Sequence, residues 1–235
     1  MGMKIRNTVF RFMRRYDLFH FMPMVFYLLG YMVWFHVIEI IPRRFYLQIL
    51  LRIDRFIPFV EWFVLPYISW FLFMPVLMAG LYFRDRDAYD RASTFLMVGM
   101  TVFLVISSFL PNRQPLRLVE LPRDNVFTAI IRKLWKSDTP TNVFLSIHVY
   151  NTVSLEAVLL RSKHPKYRNP RVRILTSLWS LSIVLSTLFI KQHSMFDVMT
   201  ALLCVLICSY FVLEKNYVMR FPRWDAYADR ISKNC

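Results

Sequence analysis

The chain has 235 residues, 57% of them hydrophobic and 17% aromatic, with a mean hydropathy of +0.40. That is too apolar for an ordinary soluble domain and predicts one all-α, multi-pass membrane domain over residues 1–235. The net charge of +15 invites a nucleic-acid reading. Lys and Arg, however, fall in short clusters between apolar runs, as in loops that hold membrane topology and meet anionic head groups. Membrane lipids, not nucleic acid, are the expected partners. Three cysteines form no disulfide framework: Cys204 and Cys208 share a helix face, and Cys235 stands apart from them.

Six apolar segments follow in chain order, predicting a six-helix bundle. Phe21 to Ile41 is closed by Pro42-Arg43-Arg44. Phe56 to Phe83 is long enough to tilt, or to break at Pro66 or Pro75. Ser93 to Leu110, at about 1.5 Å per residue, is just long enough to span. Val143 to Leu160 carries Ser146, His148, Asn151, Thr152, Ser154 and Glu156, a polarity expected of a helix inside a bundle. Val172 to Ile190 and Met195 to Leu213 complete the set.

The connections carry further expectations. The basic stretch Lys4 to Arg15 predicts an uncleaved, membrane-anchored start. Arg84 to Arg91, with balanced charges, predicts a solvated turn, and Arg161 to Arg173 predicts an anchor at the cytoplasmic surface. Pro111 to Asn142 is too long for a bare connector and predicts a surface helix over Asp124 to Trp135 with Asp124 as its N-cap. Lys and Arg divide 19 to 11 between the two sets of alternate loops and termini. The larger number belongs in the cytoplasm. Both termini are therefore expected inside, and the loop from Pro111 to Asn142, His148 and His193 near the extracytoplasmic face.

Histidines in apolar surroundings need partners or a task. His193 and Asp197 stand at i,i+4, so a carboxylate can orient the imidazole and leave its other nitrogen free to attack phosphorus. His148 is then the acid for the leaving oxygen. Arg117, Lys191 and Ser146 are the candidate clamp for the phosphoryl oxygens. This scheme requires neither metal nor cofactor. Glu39 and Glu61 are expected in structural or interfacial pairs, and Glu156, two turns beyond His148, beside the catalytic groups.

Asn142-Val-Phe-Leu-Ser-Ile-His148, Ser186-Thr-Leu-Phe-Ile-Lys-Gln-His193-Ser-Met-Phe-Asp197 and Pro111-Asn-Arg-Gln-Pro-Leu-Arg117 resemble, in order, the second, third and first motifs of the type 2 phosphatidic acid phosphatase superfamily. The chain departs from those motifs at Leu118, Leu145 and Thr187, where the family has proline, proline and arginine. Thr187 with Lys191-Gln192 is similar to the branch containing inositol phosphorylceramide synthase-like transferases and bacterial relatives. The resemblance implies a six-helix membrane bundle, a phosphohistidine intermediate and lipid phosphate substrates. Lys191 would supply the charge lost at Thr187. Attack by water makes the chain a phosphatase, and attack by a lipid or polyol hydroxyl makes it a head-group phosphotransferase. A non-catalytic transporter or scaffold, with a dispensable His193 and essential Glu39 and Glu61, is the reading from another class.

Overall fold

Apolar runs decide the architecture. The computed structural model describes residues 17–221, so the basic stretch Lys4–Arg15 and Cys235 lie outside the described residues. Helix α1 covers Leu18–Ile40, α2 Val64–Arg84 and α3 Arg86–Phe109. A surface helix α4 covers Val126–Ser137, and α5 covers Ile147–Arg161. The one-turn α6 covers Pro165–Arg168, α7 Pro170–Phe189 and α8 Met195–Ser209, which runs on into a π-helical turn at Tyr210–Glu214.

Among the described residues, five stretches are long and apolar enough to cross a membrane: Leu18–Ile40, Glu61–Arg84, Arg86–Phe109, Pro170–Phe189 and Met195–Glu214. The fourth predicted segment differs from the other five. Its first residues are not helical, and α5 has 15 residues, about 22 Å of rise. It is the central helix, packed against α2, α3, α7 and α8, with Asn151, Thr152, Ser154 and Glu156 all buried. The observed all-α fold is thus five helices long enough to span, four of them packed around a short polar one and α1 packed on α3. Where α3 crosses α5 the backbones come close: a Cβ on Gly99 would lie 1.9 Å from the Tyr150 ring, and the Tyr150 hydroxyl donates to the Phe95 carbonyl at 3.1 Å.

Caps correct several expected boundaries. Arg84 to Arg91 is not a solvated turn. Asp85 alone separates α2 from α3 and caps the latter by accepting from the Ala88 amide at 3.1 Å. Asn125, not Asp124, caps α4, in a reciprocal exchange with Thr128; Asp124 instead pairs with Arg132 at 2.7 Å. Pro75 lies inside α2 without ending it, and Pro66 sits in its first turn, where its missing amide costs nothing.

The connections gather at two ends. At one, β1 (Leu47–Gln48) pairs in parallel with β2 (Asn112–Arg113) beside α4 and the turn between α7 and α8. At the other, the Tyr82 hydroxyl reaches the Asp17 carbonyl, Ser162 reaches Asp85, and Arg91 reaches the Val212 carbonyl.

Candidate active site

The turn after α7 sets the position of His193. Lys191 adopts a left-handed backbone with φ of 57°, and the amides of Gln192 and His193 both donate to the Thr187 carbonyl at 3.0 Å. This closes the helix C-terminus in the manner of a Schellman turn. Ser194 then starts α8 through a capping box: its Oγ accepts from the Asp197 amide at 3.2 Å and its own amide donates to Asp197 Oδ2 at 2.9 Å. The same Oδ2 lies 3.4 Å from His193 Nδ1. That distance is long for a hydrogen bond, and Asp197 is fully buried. Facing Asp197 with Nδ1 leaves Nε2 for the open side of the ring.

A second element brings His148 to meet it. The Asn112 side chain accepts from the amides of Val143 and Phe144 at 2.8 and 2.9 Å, fixing the segment before α5. Ser146 is the N-cap, accepting from the Val149 amide at 3.4 Å. His148 therefore sits in the first turn, and its ring centroid is 5.8 Å from that of His193. Both rings line one cavity of about 600 Å³. Its polar end carries Asp138, Asn142 and Gln192; its long wall is apolar, with Leu28, Tyr31 and Phe35 from α1 facing Trp70 and Phe71 from α2.

The candidate phosphate clamp is placed less favourably. Ser146 is fully buried and occupied as a cap. Lys191 requires a correction: its ammonium donates to the carbonyls of Asp54 and Ile57 at 3.2 and 2.5 Å and does not line the cavity. Its left-handed backbone turns the side chain back onto the 52–57 segment, where Asp54 Oδ1 in turn accepts from the Met195 amide at 2.7 Å. Burial lowers the Lys191 pKa, and Asp54 opposes that shift. Thr187 does not face the cavity with its side chain, which donates to the Val184 carbonyl at 2.7 Å. Arg117 is one side chain away: it donates to the Trp135 carbonyl at 2.8 Å and to Gln192 Oε1 at 2.7 Å.

Gln192 and Asp138 escape sequence reasoning. Gln192 Nε2 donates to Asp138 Oδ2 at 2.8 Å, so Arg117, Gln192 and Asp138 form one chain beside His193. Asp138 is crowded on one side and open to the cavity on the other; burial raises its pKa, against the pull of His193 and Arg117. Nothing in the spacing of a lone Asp after Lys136-Ser137 marks it out.

The other acids are paired. Glu61 takes Arg123 at 2.8 Å, and Glu39 takes Thr139 at 2.6 Å together with Asn142. Glu156 is not beside the histidines; it accepts from the hydroxyls of Thr176, Ser177 and Ser180 on α7. No family model, curated protein or solved structure matches the chain, so the chemistry of the site rests on its own geometry.

Proposed function

We propose that the chain is a membrane enzyme that hydrolyses phosphate esters or pyrophosphates of lipids through a phosphohistidine on His193, as the resemblance to the type 2 phosphatidic acid phosphatases implies. The observation that carries this reading is the cavity. Two imidazoles stand at its polar end, and the rest of its lining is largely apolar, which suits acyl or prenyl chains. In the first step His193 Nε2 attacks phosphorus as the ester P–O bond breaks, and His148 gives its proton to the leaving oxygen. In the second, water attacks phosphorus, the P–N bond breaks and His148 takes up the proton from water. Asp197 holds the His193 ring, and Arg117, linked to the cavity through Gln192, compensates the phosphoryl charge. Neither step calls on a metal or cofactor.

In this reading α5 crosses the membrane with its preceding segment as the sixth member of the bundle. The division of basic residues supports a topology with both termini in the cytoplasm and the cavity outside. Transfer to a lipid or polyol hydroxyl instead of water is favoured by one observation. No Lys or Arg lines the cavity among the described residues, whereas Asp138 does. A singly charged phosphodiester meets less repulsion there than a doubly charged monoester. The test is purified protein in lipid nanodiscs offered a panel of lipid phosphates and phospholipids, with released phosphate and new lipid products both followed. Turnover that disappears in His193→Ala is expected. No product from any lipid, or full activity in that variant, overturns the reading.

A further inference from the structure

Tyr67 and Trp70 lie one turn apart on α2, so their rings share a face of that helix. Both rings meet the same imidazole. The centroid of His148 is 4.6 Å from that of Tyr67, with 31° between planes, and 4.5 Å from that of Trp70, with 52°. Phe71 adds an edge at 6.3 Å. Tyr67 is 1% exposed, and its hydroxyl accepts from Gln192 Nε2 at 3.3 Å, which ties this bracket to the residue before His193.

His148 differs here from the other two histidines that face the interior. His20 and His193 each have a carboxylate beside them. Among the described residues none pairs with His148, and its Nε2 is buried without a hydrogen-bond partner. A proton donor must carry its proton before it gives it. In this place what faces the ring is aromatic, and the faces of aromatic rings carry the negative end of a quadrupole.

We infer that Tyr67 and Trp70 are positioning residues that hold His148 between their rings and stabilise its protonated form. The inference rests on the reading of His148 as the proton donor. The titratable groups sharing the cavity are His193 and Asp138 from the loops, Tyr67 from α2 and Tyr31 from α1. α3 contributes only Met100 and Phe103.

The test is an NMR titration of the full chain in micelles with isotope-labelled histidine, the His148 signal being assigned by its loss in His148→Gln. Trp70→Leu should lower the proton affinity of His148 by about three- to tenfold, the range a partly buried cation–π contact spans. Trp70→Phe, which keeps a π face, should retain most of that affinity. If the indole merely excludes water, Trp70→Leu admits water and the affinity rises. A rise, or no change, overturns the inference. An unaltered His20 signal reports that the variant is folded, and Tyr67→Leu gives the same comparison where Trp70→Leu does not fold. Because the readout is not turnover, an inactive wild type that shows the expected drop refutes the enzymatic reading alone.

Discussion

The molecule contains the same pair of side chains twice. At one end His193 stands 3.4 Å from Asp197; at the other His20 stands 2.9 Å from Asp90. The His20 pair is sealed. It is fully buried, its Nδ1 lies 3.2 Å from the Phe221 carbonyl, and the rings of Tyr82, Tyr89 and Phe221 enclose it. The His193 pair is looser and opens on a cavity with a second imidazole across it. A histidine beside an aspartate is therefore not a site in itself. One pair ties α1 to α3 and to the segment after α8; the other is, under the proposed reading, the reactive one, and the difference lies in the ring nitrogen that faces a cavity.

The largest expected effect separates the two pairs directly. His193→Ala should reduce turnover to background and remove any acid-labile phosphoenzyme while leaving thermal unfolding close to that of the wild type. Residual phosphoenzyme in the variant would move the nucleophile elsewhere. His148→Ala comes next and should depend on the leaving group. With a poor leaving group the loss should reach about 100- to 10,000-fold, the usual worth of a general acid, and with a good one far less. Equal losses on the two substrates rule His148 out as the acid.

His20→Ala is the opposite case. It leaves buried Asp90 with only the Arg220 guanidinium at 3.7 Å, and breaking a buried pair typically costs about 3 to 5 kcal/mol, less here by what Arg220 compensates. Unfolding followed by circular dichroism in detergent should show that loss, while turnover per folded molecule is retained. Loss of activity without loss of stability would make the sealed pair a working one.

Asp138 gives a smaller, pH-dependent effect. Burial raises its pKa in the folded chain. Folding then takes up protons there, and the stability this carries is full below the unfolded pKa and lost as pH rises through the folded one. Asp138→Asn keeps an acceptor for Gln192 and removes the titration. The wild type should therefore lose Tm relative to the variant between acid and neutral pH. A constant difference across that range would show that the carboxyl is not perturbed.

The smallest effect is expected at Lys191. Its ammonium serves carbonyls of the 52–57 segment, so Lys191→Gln, which can still donate, should stay near wild-type turnover at saturating lipid. A loss comparable to that of Arg117→Ala would return Lys191 to the phosphate clamp.

Hydropathy made the helices legible because a span is long and its composition is uniform. It sets the start of the fourth segment too early, because Val143 to Leu145 are apolar but are held outside the helix by Asn112, while the interior place read from its polar residues is the one observed. What decides that helix is its neighbours, and α5 is buried on several sides. Local spacing carried the i,i+4 relation of His193 and Asp197. It did not carry the contact of His20 with Asp90, which are 70 positions apart in the chain. Nothing in the sequence ties Trp70 to His148, which its ring touches in the fold. The direction of the Lys191 side chain is not legible for a backbone reason: a left-handed φ at a non-glycine residue is not written in composition, and the ammonium meets the carbonyls of Asp54 and Ile57.

The position of α1 has a kinetic consequence. This helix is the least enclosed of the five spans, yet Leu28, Tyr31, Met32 and Phe35 on it form a side of the cavity. A lipid held there keeps its chains at the level of the bilayer's own, so it is never lifted into water. Under the proposed reading, rate is then governed by how crowded the substrate is within the sheet of lipid and not by how much of it the solution contains. Diluting the substrate lipid with inert phospholipid at constant total lipid should slow the protein, whereas diluting the whole suspension of vesicles should leave each vesicle's rate unchanged.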